Sequence, residues 1–248
     1  MKILVCISHV PDTTSKINFK NDNTEFDTAG LQFVINPYDE FGLTRAIWLK
    51  EKFGGTVTAI NVGTNATEPT LRKALAIGAD DAIRVDAEPR DSFFVAKQLA
   101  KVIFENEYDI VICGQESIDY TGGQVPGMVA ALLKMPFVNA CVGLEIEGQT
   151  ATCTREIDGG KEVLKAQLPI VIGGKKGLVE EKDLRIPNMR GIMSARTKPL
   201  NVVQATEAPS MTESVKYQKP APKAAVKMID KDNVQELVEL LHSEAKVI

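Results

Sequence analysis

The stretch Asp109–Pro136, DIVICGQESIDYTGGQVPGMVAALLKMP, constrains the fold of this chain more than any other. A short apolar run, Ile110 to Cys113, stops at Gly114, which is the pattern of a buried parallel strand. A polar loop follows with Gln115, Glu116, Ser117, Ile118, Asp119, Tyr120, Thr121, Gly122, Gly123 and Gln124. From Val125 to Leu133 the apolar spacing turns helical, and Pro136 closes the helix. Strand, glycine-rich turn and helix start together offer free backbone N–H groups to an anion. Gly122-Gly123 alone marks an ordinary connection, but the loop carries more hydrogen-bonding side chains than a plain turn needs.

The chain before this stretch alternates strands and helices. Lys2 to Ile7 reads as the first strand, and residues 10–33 are polar and irregular, with room for a small hairpin. In INPYDEFGLTRAIWLKEKFGG, Asn36 suits an N-cap and Pro37 the first helical position, while Asp39 and Glu40 complement the positive helix end. Thr56–Val62 is the next strand, and a helix follows from Thr67 to Gly78. Asp81–Val85 is a strand and Asp91–Asn106 a helix. The order predicts an α/β fold with a doubly wound, mainly parallel sheet. A ligand then belongs beyond the carboxyl ends of the strands, where Cys6–His9, Val62–Thr64, Gly114–Gln124 and the Asn36 region converge. Neither GxGxxG nor GxxxxGK[ST] is present, and Ser8-His9-Val10-Pro11 stands where ATP-cleaving relatives of this architecture carry SGGxD. A nucleotide would be held there without being cleaved.

Phe137 to Gly173 alternates as antiparallel strands do, with turn signals at Gly148-Gln149 and Gly159-Gly160. Arg155 to Glu162, REIDGGKE, reads by itself as a charged, solvated loop tip. Residues 174–198 are basic and lack sustained periodicity, residues 205–225 read as an extended linker, and Asp232–Ala245 as a short amphipathic helix. The chain divides at about residue 200, into an α/β domain (1–200) and a linker with a helical arm (201–248).

Net charge is −4, which excludes a global basic field for nucleic acid, and no apolar run approaches the ~20 residues of a membrane span. The opening MKILVCISHVPDT reads as a strand, not a targeting segment, so a cytoplasmic location is expected. Cys6, Cys113, Cys141 and Cys153 show no metal or redox spacing, so neither a metal site nor disulfides are expected. His9 and His242 are the only histidines, and neither has a ligand-spaced neighbour, so no catalytic cluster is expected.

Five segments together resemble the beta subunit of electron transfer flavoprotein. They are INPYDEFGL at Ile35–Leu43, TLRKALAIGADDAIRV at Thr70–Val85, SIDYTGGQVPGM at Ser117–Met128, REIDGGKE followed by Leu168-Pro169, and KDLRIPN…GIMSARTKPL at Lys182–Leu200. The resemblance runs from Met1 to about Leu241 and implies a heterodimer whose alpha subunit holds most of an FAD site, while the beta subunit buries an AMP. Electrons would arrive from acyl-CoA and related dehydrogenases and leave towards a membrane quinone oxidoreductase, without insertion of this chain into the membrane. Position matching implies AMP contacts at Cys6, Asn36, Pro37, Tyr38, Asp39, Val62 and Gly114 to Val125. It also implies a dehydrogenase-docking loop with an apolar anchor at Met189, supported by Ile192 and Met193, and a rim of Arg196 and Lys198. Arg155 and Glu156 would face the alpha subunit's flavin domain, and the C-terminal helix would clasp that subunit.

The loop departs from the AMP-binding pattern at Tyr120, Gly122, Gly123, Val125 and Pro126, and Val125 is closer to members that bind a second FAD and oxidise NADH. No Lys or Arg lies between Gly114 and Gln124, which favours a single phosphate over a diphosphate. A universal-stress-type nucleotide sensor is the reading outside the family, and it leaves residues 174–248 without a role.

Overall fold

The structure, a computed structural model, describes residues 1–223 and 225–248. Strand β1 (Lys2–Cys6) leads into four short strands, β2 (His9–Pro11), β3 (Asn18–Lys20), β4 (Glu25–Asp27) and β5 (Phe33–Ile35), which pair β2–β5 and β3–β4 outside the main sheet. Helix α1 (Pro37–Phe53), β6 (Thr56–Val62), α2 (Glu68–Ile77), β7 (Asp81–Asp86), α3 (Ser92–Asn106), β8 (Ile110–Gly114) and α4 (Val125–Leu133) complete the alternation. Then come β9 (Phe137–Glu147), β10 (Thr150–Ile157), β11 (Gly160–Gln167), β12 (Ile170–Gly174), a short helix α5 (Met189–Ala195) and β13 (Leu200–Gln204). The last helix, α6 (Val234–Leu240), runs into a π-turn over Leu241–Ala245.

Nine strands form one sheet in the order β11-β10-β9-β12-β8-β1-β6-β7-β13. All are parallel from β9 to β13, and β10 and β11 extend the sheet antiparallel. The central strands are apolar on both faces because helices cover both. On one face Ile3, Val5, Val57 and Ile112 meet Leu43, Ala46, Leu71 and Leu75 of α1 and α2. On the other, Leu4, Ile60, Val85 and Val111 meet Phe94, Leu99 and Val129 of α3 and α4. From β1 the chain winds outward through β6 and β7, then crosses back to β8 on the far side of β1. The topological switch point therefore lies between the carboxyl ends of β1 and β8, where a doubly wound sheet opens a crevice.

The doubly wound parallel sheet is present as the sequence predicts, but its antiparallel part is confined to β9–β11, since β12, expected among the antiparallel strands, lies parallel between β9 and β8, and two boundaries also differ. The division at residue 200 falls at the start of β13, which pairs in parallel with β7 from Leu200↔Ala82 to Gln204↔Asp86, so the sheet continues into the expected linker. The loop expected over 174–198 contains α5, seated on α2 so closely that a Cβ at Gly191 would overlap the Ala76 carbonyl. Helix α1 approaches β8 through Gly42, where a Cβ would stand 2.7 Å from Ile112 Cγ2. Gly42→Val is expected to lower unfolding free energy by roughly 1–3 kcal/mol through overpacking of that contact. Urea denaturation checks this; an unchanged midpoint would mean α1 has slack there.

Candidate functional site

Helix α1 begins directly over the crevice, and its first turn ties the strand exits together. The Asp39 carboxylate is 2% exposed and accepts hydrogen bonds from the Ser8 amide (2.7 Å) and the Gly114 amide (2.8 Å). Those amides follow β1 and end β8, so one side chain closes the switch point from within. Burial pushes its pKa up to about 7, against the pull of the Ser8 and Gly114 amides. Gly114 must lack a Cβ here, because one would overlap the Asp39 carboxylate and stand 2.8 Å from Tyr38 Cβ.

Asn36 occupies the N-cap position of α1, but its side chain makes no cap bond. It reaches instead to the loop after β8, donating from Nδ2 to the Glu116 carbonyl (2.9 Å) and accepting at Oδ1 from the Ile118 amide (3.2 Å). Ser117 and Gly122 exchange backbone hydrogen bonds of 3.2 Å, folding the loop into a small hairpin with Thr121 at φ +53°. The Gly122 amide is therefore engaged within the loop.

These elements border a cleft of about 1050 Å³. Of the positions expected at a nucleotide, Cys6, Asp39, Val62, Gly114 and Glu116 line it, as do Ser117, Asp119, Tyr120, Gly122 and Val125. Asn36, Pro37, Tyr38, Gln115, Ile118, Thr121, Gly123 and Gln124 do not line it. Asn36 and Pro37 shape the first turn of α1 behind the wall, and the Gln115 amide donates to Gly174 in the β12 ladder (2.8 Å). Burial raises the Tyr38 pKa, and the adjacent Glu116 carboxylate adds to the effect.

His9, within the expected Cys6–His9 segment, lines the cleft, and several further lining residues were not expected. His9 stacks on Phe33 (centroids 4.3 Å apart) and shares a 2.7 Å hydrogen bond with Thr70, and burial lowers its pKa. Asn61 at the end of β6 holds the Ile7 carbonyl through Nδ2 (2.8 Å). Asp91, Ser92 and Val95 come from the start of α3, Thr24, Glu25 and Phe26 from the β3–β4 hairpin, and Thr212, Glu213 and Tyr217 from the C-terminal segment. A polar residue ending a parallel strand, as Asn61 does, is the one signal that could have marked this wall.

The lining is strongly acidic. Glu25, Asp39, Glu88, Asp91, Glu116, Asp119 and Glu213 face the cleft, against Arg90 as the one Lys or Arg among the described residues. Four helix N-termini meet it, and three already carry acid groups: Asp39 and Glu40 in the first turn of α1, Glu68 in that of α2 behind its N-cap Thr67, and Asp91, whose Oδ1 caps α3 at the Phe94 amide (2.7 Å). Helix α4 has no acidic residue in its first turn and no side-chain cap from Gln124. It is the end left for an external anion.

The family model for the electron transfer flavoprotein domain matches residues 24–208. The chain belongs to the electron transfer flavoprotein family. It is similar to "Electron transfer flavoprotein subunit beta" of Bacillus subtilis, 34% identical over the whole of both chains. The protein of that name from Syntrophomonas wolfei is 36% identical over all of this chain and 98% of its own. The human protein of that name is 33% identical over 82% of this chain and 81% of its own. Full-length likeness to beta subunits makes this an electron-transfer chain of the beta type.

On the face carrying α5 of this electron transfer flavoprotein chain, Ile186 (78% exposed), Met189 (75%) and Met193 (63%) form an apolar projection, with Ile192 beside them. Arg196 is exposed near it and makes no ion pair among the described residues. Lys198, expected on the rim with Arg196, is partly buried beside α2. Its ammonium donates to the carbonyls of Leu75 (2.9 Å) and Ala79 (2.6 Å) at the end of α2, and burial lowers its pKa. A lysine there satisfies the orphan carbonyls of a helix terminus.

Arg155 and Glu156 lie at the end of strand β10, and the turn itself is Asp158-Gly159. Arg155 pairs with Glu162 and Glu156 with Lys175, both at 2.6 Å, so each charge has a partner within the chain. The Lys175 hydrogen bond holds the Glu156 carboxyl below its ordinary pKa.

Asp39→Asn tests the closure of the switch point, because its amide NH₂ would face one of the two backbone donors. Stability is expected to fall by about 1–3 kcal/mol, the cost of a buried unsatisfied group. The Asp39 pKa is raised on folding, so its contribution is fully present below the unfolded value of about 4 and fades as pH rises towards about 7. Between those pH values the wild type should lose stability more steeply than D39N. Parallel curves in urea titrations across pH would contradict the assignment.

Proposed function

We infer that this chain is the beta subunit of a heterodimeric electron transfer flavoprotein that binds AMP in the strand-exit cleft as a structural ligand. The observation that carries the nucleotide reading is the open N-terminus of α4. It faces an otherwise acidic cleft, with the Val125 and Gly127 amides making no hydrogen bond among the described residues. Pro126 between them supplies no donor. One phosphate is matched by one helix end, whereas seven lining carboxylates oppose a second phosphate group. That charge balance favours AMP over a second FAD. The cleft volume is the observation on the other side, since about 1050 Å³ is ample for a larger ligand, and a bifurcating subunit that oxidises NADH is the second reading.

An alpha subunit is the proposed partner. FAD, held mostly by that subunit, would supply the redox chemistry. Helix α6 supports the pairing, because Val234, Leu237 and Val238 are exposed on it, an apolar face that a partner would cover. Arg155 and Glu156, both partly exposed at the end of the β10–β11 hairpin, would meet the flavin domain by exchanging in-chain partners. Electrons would enter from acyl-CoA and related dehydrogenases docked on Met189, Ile192 and Met193, with Arg196 steering encounter, and leave towards a membrane quinone oxidoreductase. Among the described residues no helix is long and apolar enough to cross a membrane.

The test is chromatography of the nucleotides released on denaturing the purified alpha–beta complex. One AMP and one FAD per heterodimer are expected; two FAD per heterodimer, with flavin reduction by NADH, would replace this reading with the bifurcating one. For the docking face, Met189→Ala is expected to weaken the dehydrogenase complex about tenfold, roughly 1.4 kcal/mol, with the flavin potential unchanged. Stopped-flow reduction at sub-saturating dehydrogenase measures this, and a wild-type rate would move the anchor away from Met189.

A further inference from the structure

The C-terminal segment after β13 does not leave the domain as a free linker. Gln98 of α3, 1% exposed, holds both backbone groups of Thr206, donating to its carbonyl (2.9 Å) and accepting from its amide (2.8 Å). Ala208 is buried. The chain then crosses to the start of α3, where the amides of Met211 (2.5 Å) and Thr212 (2.8 Å) both donate to Asp91 Oδ2. It ends on the β3–β4 hairpin. There the Tyr217 amide donates to the Asn23 carbonyl (2.8 Å), and the Tyr217 ring stacks on Phe19 with centroids 4.8 Å apart. The Tyr217 hydroxyl lies 3.5 Å from that of Tyr120 on the loop after β8.

Residues 206–217 thus bridge α3, the hairpin and the β8–α4 loop, and Thr212, Ser214 and Tyr217 form a wall of the cleft. We propose that this segment completes the nucleotide site as a latched strap, with Asp91 as the latch and Tyr217 as the far anchor, so that the strap sets how long a nucleotide stays bound. This rests on the nucleotide reading of the cleft.

The two oxygens of Asp91 divide the work. Oδ1 caps α3 at the Phe94 amide, and Oδ2 holds the two strap amides. Few other residues hold a strap that is mostly exposed, whose backbone otherwise faces water. Its opening is therefore a local event, separable from global unfolding. The alternative is a fixed wall that never opens on the timescale of ligand release.

The division of labour gives a selective variant. Asn caps helices about as well as Asp, so Asp91→Asn keeps the α3 cap while its NH₂ confronts the strap amides. In the full-length chain loaded with radiolabelled AMP, release into excess unlabelled AMP is expected to accelerate about tenfold in D91N. Tyr217→Ala, which leaves α3 untouched, should move in the same direction. Helix content by circular dichroism should match wild type in both. Tryptic cleavage after Lys216, within the strap, should also quicken in both variants. Release and cleavage at wild-type rates in both variants would overturn the latch. Failure of the wild-type chain to retain any AMP would instead overturn the nucleotide reading, and the cleavage rate after Lys216 would still decide whether Asp91 latches the strap.

Discussion

The buried carboxylate of Asp39 is the interaction on which the site depends. A doubly wound sheet leaves exposed amides at the switch point, and many such folds hand those amides to a phosphate. Here they are occupied by the chain itself, at Ser8 and Gly114. One residue fixes β1, β8 and the start of α1 together, and it does so with a buried carboxyl group at the switch point. The consequences spread outward. Gly114 can carry no side chain, Asn36 is free of capping duty and pins the β8–α4 loop, and the N-terminus of α4 is the one left open to an external anion.

The same open helix end makes sense of the acidic cleft. Seven carboxylates would make a poor site for a dinucleotide gripped by side-chain cations, and Arg90 already lies over the Phe94 ring at 5.0 Å. A mononucleotide held by one helix end, with its uncharged base and sugar against polar walls, asks little of positive side chains. The walls then carry most of the recognition. One of them comes from Thr212, Ser214 and Tyr217, which ties the cleft to the segment leading into the C-terminal helix.

The sheet was legible in the sequence because its strands are continuous apolar runs and its helices carry caps, prolines and glycines at the expected ends. Asp91 and Gly78 stand at the ends of their helices as read. What escaped depends on pairing across long separations. LNVVQ at 200–204 is a strand because Ala82–Asp86 offers it an edge, and its own alternation is too short to announce it. Residues 206–217 have linker composition, yet Gln98 and Asp91, over a hundred positions earlier, hold them in place. Asn36 stands at the N-cap as read, yet its side chain is claimed by the distant Glu116 carbonyl, and the Lys198 ammonium is likewise claimed by the carbonyls of Leu75 and Ala79. The strand-exit site was located by topology alone, its β8–α4 loop by its glycines, and the walls from the hairpin and the strap by neither.

Asp39, and not a ligand, holds the amides of the switch point. Backbone amide hydrogen exchange of Ser8 and Gly114, compared in nucleotide-free and AMP-loaded protein, tests it most directly. The account predicts that both amides are strongly protected in either state, and that AMP adds protection at Val125 and Gly127. Rapid exchange of Ser8 and Gly114 until AMP is bound would contradict it, because the phosphate would then be the partner of those amides.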